Sequence, residues 1–290
     1  MTLKDPPIQH YTFEKTTIAY RESGEKTAPP ICLLHGMAEE SAFFWRDLIE
    51  HFESTHRIIA VDLLGHGESS NPLTGYSPAR QGQLYGKLMQ ALDIEQAVLI
   101  GHSLGGIIGA TLAVDYPNLV SKLVLYDAPI PRGFFGNAAL VSDIGLGPIL
   151  AVAPLGIPGI GLLLDLVTSP SLSIRLITNV LRAWKVPFDP QALGDEYLEH
   201  SIQCSYFALE QNGRQLFLFH NLEQHLSKLE IPTLLIVGDN DVLMSEKRAQ
   251  TIQRLIPQCE LTIIPEASHV ALIDQPALFL SKLTAFIEGT

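Results

Sequence analysis

Ala97-Val98-Leu99-Ile100-Gly101-His102-Ser103-Leu104-Gly105-Gly106-Ile107-Ile108-Gly109-Ala110 is the stretch whose reading decides the fold. Ala97–Ile100 is a short apolar run of the kind that forms a buried strand. Leu104–Tyr116 reads as a helix and stops at Pro117. Between them lies Gly-x-Ser-x-Gly, centred on Ser103. Strand, sharp turn and helix in that order lift a serine hydroxyl above the carboxyl edge of a sheet. Gly101 and Gly105 allow backbone to approach where a side chain would clash. The helix that follows points its first N–H groups at any anion formed beside the serine. The bare pentapeptide is weakly specific, and its context carries the reading.

Outward from this stretch, further apolar runs predict strands buried on both faces. They are Ile31–Leu34, Ile58–Val61, Leu123–Tyr126, Thr233–Val237 and Leu261–Ile264. Tyr11–Glu14 and Thr17–Arg21 alternate better and predict an antiparallel edge hairpin. Helical patterns cover Pro78–Leu92, Ser245–Leu255 and Pro276–Ile287. Strands alternating with helices predict an α/β fold, a mostly parallel central sheet flanked by helices. The alternation is interrupted once, by a long segment with helical patterns around Ser171–Trp184 and Gly194–Gln211. The expected division is a core of residues 1–130 and 231–290 with a mainly helical cap inserted at 131–230.

Two more motifs flank the expected sheet edge: His35-Gly36-Met37, and Asp62-Leu63-Leu64-Gly65-His66-Gly67-Glu68-Ser69. Together with Gly101-His102-Ser103-Leu104-Gly105-Gly106 they resemble the α/β-hydrolase superfamily. The resemblance runs from about Thr17 to Ile287, apart from the cap. It implies a serine hydrolase whose partners follow Ser103 in the order acid, then histidine. A serine hydroxyl needs a base, and the base an orienting acid. His269, in the loop after Leu261–Ile264, stands where the family carries its base. His200, His220 and His225 lie in charged helical surroundings and are expected at the surface, and the His102 side chain should point away from Ser103.

Two carboxylates compete for the acid. The family's Gly-x-x-Asp pattern selects Asp241 within Gly238-Asp239-Asn240-Asp241, with Asp239 as a turn residue. Asp127, at the end of Leu123–Tyr126, is the alternative, because some branches take their acid from that strand. Resemblance also implies an oxyanion hole from the backbone N–H groups of Met37 and Leu104. Asp62, His35 and His66 lack metal-ligand spacing and read as a polar-stapled glycine turn. Neither a metal nor a cofactor is expected.

Composition narrows the partners. Of 290 residues, 47% are hydrophobic and 17% charged, and the net charge of −12 disfavours nucleic acid. Cys32, Cys204 and Cys259 are widely spaced, which fits small core residues in a reducing compartment, the cytoplasm. Residues 1–10 lack an apolar secretory core. Residues 144–167 are apolar enough to consider as a membrane span, but their glycines and prolines would break one. An oily cap remains able to touch a membrane surface, and the oligomeric state stays open. Phe134, Phe135, Trp184, Phe188, Tyr206, Phe207 and the aliphatic residues of 144–164 divide between packing and lining a pocket. The expected substrate is a small to medium apolar carboxylic ester. Thioester hydrolysis, C–C hydrolysis, perhydrolysis and slow-turnover ligand reception use the same triad. Epoxide and haloalkane chemistry would need a carboxylate where Ser103 stands.

Overall fold

A computed structural model describes residues 6–132, 158–167, 203–215 and 221–289. The strands are β1 Gln9–Phe13, β2 Thr16–Ser23, β3 Pro30–Leu34, β4 Arg57–Val61, β5 Ala97–His102, β6 Val120–Tyr126, β7 Thr233–Gly238 and β8 Cys259–Ile264. The helices are α1 Ser41–Phe44, α2 Arg46–Phe52, α3 Pro78–Ala91, α4 Leu104–Asp115, α5 Ile160–Val167, α6 Tyr206–Arg214, α7 Glu246–Leu255, α8 Ala271–Asp274 and α9 Pro276–Glu288. The sheet order is β1-β2-β4-β3-β5-β6-β7-β8. β1 and β2 form the antiparallel edge hairpin, and β2 also runs antiparallel to β4. From β4 through β3 to β8 every neighbouring pair is parallel.

Each inner strand feeds two cores, which is why its sequence reads as continuously apolar. In β3, Ile31 and Leu33 pack with Trp45, Phe52 and Phe279 on one face. Cys32 and Leu34 pack with Leu84, Ile107 and Ile108 on the other. α4 is buried from Leu104 through Ala113, so it needs no polar face. Its closeness to the sheet depends on glycine. A Cβ on Gly105 would stand 2.1 Å from the Leu34 carbonyl oxygen, and one on Gly101 would stand 2.4 Å from that of Gly105.

The long insertion leaves after β6 and returns before β7 at one place, where Arg132 and Asn221 form an antiparallel bridge. α5 and α6 lie within it and cap one another. Both carboxylate oxygens of the buried Glu210, on α6, accept N–H groups at the start of α5, from Gly159 at 3.0 Å and Gly161 at 2.8 Å. Asp165, on α5, accepts from the Tyr206 and Phe207 N–H groups at the start of α6, at 2.6 and 3.1 Å. Acceptors and negative charge at a helix start satisfy its unpaired N–H groups.

The helical pattern at 194–211 is corrected where it is described. The helix begins at Tyr206 and continues to Arg214. The preceding residues are extended because the Asp62–Ser69 turn pairs with them: Gly67 N–H donates to Gln203 O and Ser205 N–H to Gly65 O, both at 2.8 Å. Tertiary hydrogen bonds here override local helical preference. The pattern at 171–184 and His200 and His220 lie outside the described residues, and His225 is half-buried in a short turn. Cys32 is buried and Cys204 and Cys259 half-buried, with no disulfide among the described residues. Among the described residues, no helix is long and apolar enough to cross a membrane.

Candidate active site

The β5–α4 turn forces Ser103 into φ 48°, ψ −114°, a conformation that side chains rarely adopt. Such strain persists only where the surroundings hold it, and here the Ser103 N–H donates to Tyr126 O at 2.9 Å. The side chain stands at the carboxyl edge of β5, only 7% exposed. Two loops reach it from β7 and β8. Asp239 N–H donates to Ile264 O and Asn240 N–H to Ala267 O, which ties these loops together. Ser268, beside the histidine, donates through N and Oγ to Asp274 Oδ2 at 2.7 and 2.6 Å.

These loops bring Ser103, His269 and Asp241 into one hydrogen-bonded chain. His269 Nε2 lies 3.0 Å from Ser103 Oγ, and His269 Nδ1 lies 2.9 Å from Asp241 Oδ2. A carboxylate only accepts, so Nδ1 carries the ring proton and the Ser103 hydroxyl donates to Nε2. Asp241 Oδ1 accepts from the Leu243 N–H at 2.7 Å. Burial presses the His269 ring towards its neutral form, but the Asp241 carboxylate outweighs this and holds the ring above its ordinary value. Burial alone would raise Asp241. The His269 ring and its hydrogen bond overcome that and hold the carboxyl below its ordinary value.

Asp127 is neither the partner of His269 nor a helix cap. Its Oδ1 accepts from Gly238 N–H at 3.0 Å, stapling the end of β6 to the end of β7. Its Oδ2 is buried and meets no N–H or O–H donor. The Asp241 carboxyl is a close neighbour. Burial first, and then the Asp241 charge, drive the Asp127 carboxyl well above its ordinary value. The two carboxyls are thus pushed apart, Asp127 upward and Asp241 downward.

The β3 loop closes the other side. Met37, half-exposed, sits between two tethered peptides: Gly36 N–H donates to Glu39 Oε2 at 2.5 Å and Ala38 N–H to His66 Nε2 at 3.2 Å. Leu104 N–H, in the first turn of α4, has no acceptor within its own helix. Burial, with His35 adding to it, lowers His66 to about 3, so its ring is neutral and free to accept. His35 Nε2 accepts from Leu63 N–H at 3.0 Å, and Asp62 accepts from Ser41 and Glu68. These contacts staple a turn and leave no open ligand position. Asp239 is likewise a turn residue, accepting from Ala267 N–H at 3.2 Å.

Among the described residues, His102, Asp127 and His269 alone come close enough to suggest a metal. Their ring nitrogens already face protein partners, and Asp127 Oδ1 accepts the Gly238 N–H, so the donor set does not fit an ion. His102 does point away from Ser103. Its nitrogens face Glu39 and the His269 backbone carbonyl, an arrangement the sequence did not signal. Phe207 and Tyr206 are buried, whereas Leu162 and Leu163 are exposed. Residues 134–157, Trp184 and Phe188 lie outside the described residues.

A strained serine above the carboxyl edge of a parallel sheet, with histidine and carboxylate in series, is the arrangement of a hydrolase fold. The family model described as alpha/beta hydrolase fold matches residues 29–143. Lipase 3 of Moraxella sp. is 27% identical over 94% of this chain and 81% of its own. Epoxide hydrolase 4 of Homo sapiens is 28% identical over 93% and 75%. The crystal structure of the esterase RhEst1 from Rhodococcus sp. superposes with TM-score 0.78 at 23% identity, covering 97% of this chain and 98% of that one, and shows the shared fold. The chain has the α/β-hydrolase fold, and lipases are among the proteins it is similar to.

Proposed function

We propose that the protein is a serine hydrolase that cleaves small to medium apolar carboxylic esters through an acyl-enzyme. The observation that carries this reading is the unbroken chain Ser103–His269–Asp241. Ser103 Oγ attacks the ester carbonyl carbon while His269 Nε2 takes its proton. The oxyanion is held by the N–H groups of Leu104 and Met37. His269 then gives the proton to the departing alkoxide, leaving Ser103 acylated. Water repeats the sequence on the acyl group, giving the acid and free Ser103. Asp241 holds the ring orientation and offsets the imidazolium charge.

The names of the Moraxella and Rhodococcus relatives support ester chemistry. The name of the human relative points to epoxides, but a carboxylate nucleophile would be needed for that route and Ser103 occupies the position. Residues 131–230 are proposed as the cap over Ser103, the apolar partner of the substrate. Cys32 and Cys259, which form no disulfide among the described residues, support a cytoplasmic setting.

A panel of p-nitrophenyl esters of rising chain length tests the reading, together with fluorophosphonate labelling. Wild-type protein should turn over several esters and label at Ser103, and Ser103→Ala should do neither. Labelling without turnover of any ester would sink the ester reading and keep the activated serine. No labelling would sink both.

A further inference from the structure

Beneath the triad lies a second buried pair that the proposed reaction does not use. His102 is 1% exposed and Glu39 5%. His102 Nε2 lies 2.7 Å from the His269 carbonyl oxygen, which can only accept, so Nε2 bears a hydrogen. His102 Nδ1 lies 2.9 Å from Glu39 Oε1. Glu39 Oε2 in turn accepts from the Gly36 N–H at 2.5 Å. The ring is clamped between Phe44 and Tyr126, with centroids 4.7 and 4.4 Å away. A Cβ on Gly36 would stand 2.8 Å from His102 Nδ1, so this position admits only a bare backbone.

The two ends of this chain are what give it a role. One end is the Gly36 N–H, in the His35–Gly36 peptide, one residue before the peptide that carries the Met37 N–H. The other is the backbone of His269. These residues sit on loops after β3 and β8, which β5, β6 and β7 separate in the sheet. Strand pairing therefore does not fix one loop against the other.

We propose that Glu39 and His102 are positioning residues that hold the His269 backbone at a set distance from the His35–Gly36 peptide, and through Gly36 from the adjoining Met37 N–H, locking general base to oxyanion donor. The proposal rests on the serine-hydrolase reading above. Stability alone does not account for such a pair, because apolar residues of similar volume commonly serve a core as well as a buried ion pair does. Rate, by contrast, is sensitive to placement: a displacement of about 1 Å at a reacting group costs on the order of a hundredfold.

Four single variants of the full-length protein test this: Glu39→Leu, His102→Leu, Glu39→Gln and His102→Gln. The leucines remove the tie. The glutamines can keep it. In Glu39→Gln the amide oxygen still accepts from the Gly36 N–H while the amide nitrogen donates to His102. In His102→Gln the amide nitrogen still donates to the His269 carbonyl, and the amide oxygen accepts from Glu39 once that carboxyl takes up a proton. The measurements are kcat and KM on the best p-nitrophenyl ester, the rate of fluorophosphonate labelling at Ser103, and thermal melting.

The expected result is a loss in kcat and labelling rate of about 10–100-fold for the leucines. KM should stay within about threefold, and the glutamines should recover most of the loss. A pH profile adds a reading that packing alone would not move. The groups facing His269 are Asp241, Asp127, Glu39 and His102. Glu39 adds to the Asp241 charge in supporting the imidazolium, so Glu39→Gln should shift the acid limb of kcat/KM to lower pH.

Leucine variants that melt lower yet keep wild-type kcat per labelled Ser103 would overturn the proposal. So would glutamine variants as slow as the leucines. Should the leucine variants fail to fold, the glutamine kinetics and the acid-limb shift decide. Failure of the wild-type protein to label would instead sink the triad reading on which the proposal stands.

Discussion

At the ends of β6 and β7, two carboxyls share one environment and compete for one proton. In the helix pair α5–α6, two carboxylates on different helices each satisfy the other helix's start. Asp127 Oδ2 has no N–H or O–H donor and its residue sits at φ 45°. Glu210, equally buried, accepts Gly159 and Gly161 N–H groups and has Arg214 at 3.5 Å. Burial is the same in both places, so burial does not decide what a carboxylate does. The donors around it do. Where N–H groups converge, the charge is stabilised and the group serves architecture. Where a second carboxyl is the neighbour, the two are driven in opposite directions, and the one held lower faces a histidine.

The largest effect should fall on that split. Asp241→Asn should lower kcat/KM by about a thousandfold or more, because the ring loses its orientation and the counter-charge to its imidazolium. Asp127→Asn should stay within about threefold, since an amide can accept from Gly238 and donate to Asp241 as the protonated acid does. The pH profile follows in sign. His269 acts as a base only when neutral, and the Asp241 charge holds its value up, so wild-type activity should fall below an acid limb lying above about 6.5. Asp241→Asn should move that limb down. Reversal of the two variants would break the comparison, making Asp127 the ionised acid. Steady-state kinetics on one p-nitrophenyl ester decides it.

The helix pair should respond in stability instead. Glu210→Ala leaves the Gly159 and Gly161 N–H groups without their acceptors, a loss of about 2–3 kcal/mol. Glu210→Gln retains one of the two acceptor oxygens and should lose about half as much. Melting both variants against wild type checks the order. Equal melting temperatures for all three would mean that this capping contributes nothing.

The two regions also differ in how far the sequence discloses them. The inner strands show themselves as unbroken apolar runs because both faces are buried, and Gly101 and Gly105 mark the close approach between β5 and α4. Ser103, His269 and Asp241 stand out by motif and by chain order. Their neighbours do not. Glu39 lies in a loop without periodicity, and its partner His102 is distant in the chain, so nothing local signals the pair. Glu210 has the look of an ordinary polar helix residue, and its burial is set by α5, far earlier in the chain. The expected helix over 194–211 failed at its described end for the same reason. Gln203 and Ser205 are drawn into extended pairing by Gly65 and Gly67, far earlier in the sequence. Periodicity and turn chemistry are local, while these contacts are not.

The smallest expected effect separates the shared proton from mere burial. A carboxyl held well above its ordinary value keeps, in the folded chain, a proton that the unfolded chain releases above about pH 4. The folded state then binds more protons than the unfolded one, so this group's contribution to stability falls as pH rises towards its folded value. An amide at this position carries no such dependence. Asp127→Asn should therefore stabilise the protein more at pH 8 than at pH 5, with a difference of about 2–4 °C in melting temperature. A gain equal at both pH values would show that Asp127 holds no proton. A loss that grows with pH would show that its charge, and not its proton, is what the fold uses at the end of β6.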